Sequence, residues 1–428
     1  MNSVLHSLLA AFAFGTCFAQ SPHNDAAFAD RYPDYLFEVT KVMVHDIINP
    51  PAAARYYAYT ALASHLVADP ESTSWTGIRV PQVDGEVQAN LAATYALLEV
   101  ARRMIPSGQD LEPVQEQLLA AAKSDFKIKK KQIALSISYA KLVADEVVAY
   151  SLNDGYRNLS ARVAYTPKKG PGYWYPTPPA YIEAIEPHWT TIRPFFLDSS
   201  TQFVPEKPVP FDMDTSSVFY KEQLMGVYDA VKNRTREEEE IAKFWDCNPF
   251  EVKIMGHTMI GMKKITPGGH WMGITGIATR KTALGFQETV KAHALVAMTL
   301  HDAFISCWDE KYRSDRIRPE TVINQYLDDE WRPVLQTPPF PEYTSGHSVA
   351  SGAASTMLTH LFGDDFAFDD DTETYFGLPI RSFPSFDAAA EEAAISRLYG
   401  GIHYIDACDI GLRQGRDLGE FIVNKISH

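Results

Sequence analysis

Three short segments hold the side chains with the most chemical potential. The first, WDEKYRSDRIRPETV (residues 308–322), places Lys311 and Arg318 seven positions apart. On one helix that is two turns, so both cations would project from nearly the same face. Pro319 disfavours helical geometry at Arg318, which puts Arg318 at a helix end. Two cations on one face repel unless an anion lies between them. The alternative is a solvated charged surface, because Asp309, Glu310 and Asp315 accompany them. The second segment, PPFPEYTSGHSVASGAASTMLTHLFG (residues 338–363), leads from prolines into Thr344-Ser345-Gly346-His347 and then an Ala/Ser-rich helical run. That is how a helix N-terminus is built, and its free N–H groups and dipole favour anions. Ser345 adds a hydroxyl, Gly346 permits close backbone approach, and His347 can exchange a proton near neutral pH. A plain capping turn with an incidental histidine fits the same residues. The third segment, AISRLYGGIHYIDACDIG (residues 394–411), sets Arg397 at the end of an Ala/Glu-rich helix. Gly400-Gly401 breaks that helix and can swing His403 back toward Arg397; a buried, hydrogen-bonded histidine is the alternative.

Taken together, three cations, a helix N-terminus and two histidines suit a small, highly charged oxyanion. One histidine would bond the central atom and the other would serve as acid–base. The order Lys-x6-Arg-Pro, Ser-Gly-His, Ser-Arg-x3-Gly-x-His resembles the vanadium-dependent haloperoxidases and the type 2 phosphatidic acid phosphatases, which share one fold and one anion site. The resemblance covers roughly residues 308–411. It implies that Lys311, Arg318 and Arg397 surround the oxygens of vanadate or phosphate, with Ser345 and the Gly346 N–H as neutral donors. It implies His347 as the acid–base residue and His403 as the axial vanadium ligand or, in a phosphatase, the nucleophile. Trp308 and Phe340 match aromatic positions that line the halide pocket in the haloperoxidases; ordinary core packing is the alternative. Many relatives carry an acidic residue four positions after the axial histidine, where this chain has Ala407. Asp406 is therefore the expected orienting partner of His403.

The long form, with a large N-terminal helical half and no membrane-spanning run, resembles the bacterial haloperoxidase branch. That implies a vanadate-dependent enzyme oxidising a halide, iodide or bromide, with hydrogen peroxide to hypohalous acid. A small organic acceptor is a further expected partner. The competing readings are a soluble phosphatase working through a phosphohistidine at His403 and a non-enzymatic anion-binding protein.

Composition sets the frame for this site. The chain has 428 residues, 46% hydrophobic content and a formal net charge of -15. That length and apolar content can bury one large core or two fused helical halves. An acidic surface repels nucleic acid and anionic membrane, so neither is an expected partner. Any anion site must be a local concentration of positive charge. Residues 1–19 contain no Lys, Arg, Asp or Glu and end in Cys17-Phe18-Ala19. They read as an export signal cleaved after Ala19, which predicts a periplasmic or secreted protein. No later apolar run reaches the roughly 18–20 residues needed to span a bilayer. Cys247, Cys307 and Cys408 have no CxxC spacing. They are expected as buried small hydrophobes with at most one disulfide, not as a zinc site.

The elements that must position these residues are helices. Asn49-Pro50-Pro51 signals a helix start before AAARYYAYTALASHLV. Helical periodicity recurs near residues 85–104, 111–124, 130–153, 218–244 and 286–313, and alternating strand patterns are scarce. Residues 160–215 are rich in Pro and aromatics and are expected as a long ordered connection. The expected architecture is all-α: an N-terminal helical half, residues 20–215, packed on a catalytic four-helix-bundle-like half, residues 216–428. By resemblance this is the vanadium haloperoxidase/acid phosphatase fold.

Overall fold

The computed structural model describes residues 16–19, 22–71 and 75–427. Thirteen α-helices form the body among them. The first five are α1 (Pro22–His45), α2 (Pro50–Ala68), α3 (Ala89–Met104), α4 (Glu112–Ser124) and α5 (Lys130–Ser151). After a long connection come α6 (Met225–Lys232), α7 (Arg236–Phe244), α8 (Pro267–Lys281) and α9 (Phe286–Ser314). The last four are α10 (Pro319–Tyr326), α11 (Gly346–Phe362), α12 (Phe386–Tyr399) and α13 (Ile405–Ile426). Among the described residues, strands are confined to three two-stranded pairs. Thr16–Ala19 (β1) runs parallel to Gly85–Gln88 (β2). Val252–Met255 (β3) and Thr258–Gly261 (β4) are antiparallel, as are Phe368–Asp370 (β5) and Arg381–Phe383 (β6). Residues 1–15 of the expected leader lie outside the described residues. No helix among the described residues is long and apolar enough to cross a membrane.

Helix α2 shows why local sequence and burial agree here. Asn49 accepts the Ala52 N–H through its side chain at 2.9 Å, and Pro50-Pro51 occupy the first turn, where no N–H is needed. All but one of its residues are buried, so it is the axle of the fold, packed on α3 and α9. The apolar core is continuous from Phe28 on α1 to Ile422 on α13. In the connection, Trp174, Trp189 and Phe196 are buried. An apolar surface of that size holds a Pro-rich segment in place without regular structure.

Several elements depart from the periodicity. The stretch expected as a helix from residue 85 gives its first four residues to β2. The stretch 218–244 is broken at Asn233-Arg234, after which Thr235 and Glu238 restart α7 with reciprocal capping bonds. A π-helical turn, Phe219–Leu224, precedes α6. Helices α1 and α8 were not foreseen. Pro33 interrupts the reading of α1, and Gly268, Gly269, Gly273 and Gly276 dilute α8, because both residue types count against a helix interior.

Helices α11 and α13 bring the C-terminal segments together. Gly411, Gly415 and Gly419 recur at four-residue spacing along α13 and face α11. A Cβ at Gly415 would run into the Val349 carbonyl oxygen and stand 2.9 Å from the Ala353 nitrogen. Those are backbone atoms and cannot move aside as a side chain tip can. Gly415→Ala is therefore expected to destabilise the chain by about 1–3 kcal/mol through overpacking. A thermal melt reads this as a midpoint lowered by a few degrees; an unchanged midpoint would contradict the close packing.

Candidate functional site: a cationic cage around His403

Lys311 lies in the last turn of α9. The helix stops at Ser314, and Asp315 takes a left-handed conformation (φ 53°) as its C-cap. Arg318 is extended, as the N-cap of α10. Lys311 and Arg318 are thus not two turns along one helix, as their spacing suggested. A tight turn between two helices brings them together, and Pro319 fixes where the second begins. Both side chains are fully buried.

Three carbonyls hold Lys311. Its Nζ donates to Pro341 O (3.1 Å), Glu342 O (3.1 Å) and Thr344 O (2.5 Å). Arg318 donates Nε–H to Phe340 O (2.9 Å) and Nη1–H to Ile402 O (2.8 Å). Its Nη1 also lies 3.2 Å from His403 Nε2. Arg397, on the last turn of α12, donates to Ser396 Oγ (2.9 Å) and to Ala242 O (3.3 Å). Gly400 and Gly401 then end α12, Gly401 at φ +76°. His403 follows, just ahead of α13. The double glycine does what its sequence position suggested: it turns the chain so that His403 comes back beside the cations.

Ser345 caps α11, its Oγ accepting the Ser348 N–H at 3.3 Å. The helix starts at Gly346, so its first N–H groups lie outside the helical ladder. A Cβ at Gly346 would sit 3.6 Å from the Trp308 ring and 3.9 Å from Lys311 Cε. A side chain there would occupy the space between the lysine and the helix start. His347, in the first turn, is partly exposed and hydrogen-bonds the backbone of Trp245. Trp308 and Phe340 pack at 5.0 Å between ring centroids, and Lys311 Nζ lies 5.1 Å from the Phe340 centroid. Both rings share a cavity wall with His347 and His403.

Sequence reasoning missed the central carboxylate, Glu342. Its Oε1 accepts from His403 Nδ1 (2.8 Å) and from the Tyr404 N–H (3.1 Å). Its Oε2 accepts from Arg316 Nη1 at 3.3 Å. Asp406, the expected partner of His403, does not reach it. Asp406 accepts from Arg316 Nη1 (2.6 Å) and from the Val209 N–H (3.0 Å), tying the long connection to α13. The only sequence signal for Glu342 was an acidic residue in an otherwise uncharged Pro-aromatic run three positions before Ser345. With Nδ1–H given to Glu342, the imidazole presents the lone pair of Nε2. Burial and the neighbouring Arg318, Lys311 and Arg397 hold His403 well below the usual histidine range, so it is neutral. Burial, Arg397 and His403 do the same to His347.

The charge balance is locally positive. Arg316 is matched by Glu342 and Asp406, while the direct hydrogen-bond partners of Lys311, Arg318 and Arg397 are carbonyls, a hydroxyl and a neutral imidazole, with Glu342 and Asp246 as the nearby carboxylates. Among the cage residues the guanidinium nitrogens Arg318 Nη2 and Arg397 Nη1 have no hydrogen-bond partner, nor has His347 Nε2, the acceptor nitrogen of a neutral ring whose other nitrogen bonds the Trp245 backbone. Leaving the two guanidinium donors unpaired is costly. A tetrahedral oxyanion carries the acceptors and the charge they lack, so these residues fit one.

The lysine gives this a pH signature. Burial pushes Lys311 down to about 8. A bound anion favours its charged form, so above pH about 8 anion binding must take up a proton. Affinity for inorganic phosphate is expected to fall by up to about tenfold per pH unit there. Calorimetry in buffers of different ionisation enthalpy would show the proton uptake at pH 8.5; binding indifferent to pH between 7 and 9 would contradict the assignment.

A family profile described as the VCPO second helical-bundle domain matches residues 291–428. A solved structure titled as the first bacterial vanadium-dependent iodoperoxidase is 45% identical, covers 95% of this chain and 98% of its own, and superposes with a TM-score of 0.85. The chain belongs to the vanadium-dependent haloperoxidase family. A bacterial vanadium-dependent chloroperoxidase, solved in holo and apo forms, is 16% identical and covers 89% of this chain. The match spans 92% of the holo chain and 95% of the apo chain, with TM-scores of 0.64 and 0.66; at that identity it shows the shared fold alone. No curated protein sequence matches the chain.

Proposed function

We propose that this protein is a vanadate-dependent haloperoxidase that oxidises iodide with hydrogen peroxide to hypoiodous acid. The observation that carries the reading is the whole-length likeness to a vanadium iodoperoxidase. The unpartnered Arg318 and Arg397 nitrogens supply its physical fit. Vanadate, when bound, supplies a Lewis-acid centre that activates peroxide without changing oxidation state.

The chain's own residues do the rest. Lys311, Arg318 and Arg397 bind the anion's oxygens, with Ser345 and the Gly346 N–H as neutral donors. His403 offers Nε2 to the central atom while Glu342 holds its Nδ1 proton. His347 exchanges protons with peroxide at Nε2, and its backbone bond to Trp245 fixes the ring. Trp308 and Phe340 exclude water beside Lys311, which strengthens that cation's pull on a nearby oxygen. They make the apolar wall against which a large, weakly hydrated halide would rest. Residues 1–19, uncharged and apolar, support export of the enzyme. Phosphoester hydrolysis through His403 would use the same cage, and no observation favours it separately.

The test is direct. Protein loaded with orthovanadate should oxidise iodide when peroxide is added, and the vanadate-free protein should not. Vanadate that merely inhibits phosphoester hydrolysis, with no iodide turnover, would overturn the proposal.

A further inference from the structure

Cys247, His270 and Glu373 come from three separate parts of the chain. Cys247 follows α7, His270 lies in the first turns of α8, and Glu373 follows β5. All three are buried, and their ligand-capable atoms lie within 4.8 Å of one another. Cys247 Sγ is 3.4 Å from His270 Nδ1 and 3.8 Å from Glu373 Oε1. His270 Nδ1 is 3.2 Å from Glu373 Oε1. The other ring nitrogen, Nε2, lies 2.8 Å from Asp370 Oδ2. Trp245 stacks on the imidazole at 4.5 Å and Phe244 meets it edge-on at 5.4 Å.

These separations have a simple geometric meaning. Zinc bonds of about 2.0–2.3 Å to sulfur, nitrogen and oxygen, in a tetrahedron, set the ligand atoms about 3.3–3.6 Å apart. The three observed edges, 3.2, 3.4 and 3.8 Å, bracket that range. Hydrogen bonds alone put two partners, the Cys247 thiol and Glu373 Oε1, on the single nitrogen His270 Nδ1, whose ring already gives Nε2 to Asp370. A dication would balance the Cys247 thiolate and the Glu373 carboxylate charge for charge, leaving Asp370 to the imidazole N–H. The imidazole then binds through Nδ1 and gives its Nε2–H to Asp370, the carboxylate–histidine–metal arrangement that orients such ligands.

We propose that Cys247, His270 and Glu373 form a binding site for a zinc-class divalent cation, with Asp370 as the residue that orients His270. This revises the sequence expectation that no cysteine serves zinc. The ligands are 23 and 103 residues apart, so no short motif announces them. Three protein ligands leave a fourth position for water or another small donor. The site adjoins the cage. Cys247 shares a cavity wall with His347 and His403, and Trp245, which covers His270, hydrogen-bonds His347. An ion here would pin the loop after α7, α8 and the β5 region behind the acid–base histidine. The inference is independent of the anion that the cage holds.

Cobalt(II) added to full-length, metal-free protein is the probe. The expected result is a thiolate-to-cobalt charge-transfer band in the near ultraviolet that saturates at one ion per chain, and zinc competes it away. Cys247→Ser should abolish the band while His403→Ala keeps it. Glu373→Gln keeps the thiol, so it should retain the band but weaken cobalt affinity at least about tenfold, the scale on which supporting groups act at such sites. Circular dichroism checks that each variant is folded. No saturable band, a band that survives Cys247→Ser, or an affinity unaltered by Glu373→Gln would each overturn the proposal.

Discussion

His403→Ala is expected to lower iodide oxidation by on the order of 10³-fold or more at saturating peroxide and vanadate, while the chain stays folded. The activity loss follows from the Nε2 lone pair, which no other side chain in the cage can replace: lysine and arginines are charged, and His347 is tied to Trp245. The fold survives because Glu342, left without the imidazole, still accepts from the Tyr404 N–H and from Arg316. Losing one buried hydrogen bond costs about 1–3 kcal/mol. Steady-state iodide oxidation and a thermal melt check both halves. Activity within tenfold of the native enzyme would remove His403 from the chemistry.

The second large effect is expected at Glu342→Gln, and it separates two anions of nearly equal size. Glu342 is buried among Arg316, Arg318 and Lys311. Burial nonetheless raises its carboxyl above the usual range, against the pull of those three cations. The amide removes one negative charge from the cage, so electrostatic attraction for phosphate should hold or increase. The same change weakens the grip on the His403 Nδ1 proton, and with it the basicity and orientation of Nε2. Affinity for vanadate, which depends on that nitrogen, should fall about 10–100-fold. Equilibrium titrations of both anions on the same variant would read the split. Parallel loss of both would mean that Glu342 acts through charge or folding alone, and not through the imidazole.

The sequence carried much of the cage, and the reason is physical. Arg397 and His403 are joined by a short chain whose double glycine dictates the reversal. Ser345, Gly346 and His347 are contiguous and sit where a capped helix must begin. Lys311 and Arg318 were placed together for the wrong reason. Helical periodicity suggested one face, whereas the left-handed Asp315 ends α9 and starts a turn. Glu342 stayed hidden because its role depends on Tyr404 and Arg316, which approach it only in three dimensions. Asp406 was the natural choice by proximity to His403 in sequence, yet Arg316 and the Val209 N–H consume its carboxylate. The Cys247, His270 and Glu373 cluster was illegible for the same reason as Glu342. In the fold, α1 and α8 were hidden by residues that usually break helices, and burial against the core overrides that preference.

The most direct measurement is anomalous diffraction at the vanadium edge from crystals of the full-length protein soaked in orthovanadate. The account predicts one strong peak within bonding distance of His403 Nε2, ringed by Lys311, Arg318 and Arg397. A vanadium peak elsewhere, or none within reach of that nitrogen at saturating vanadate, would contradict it.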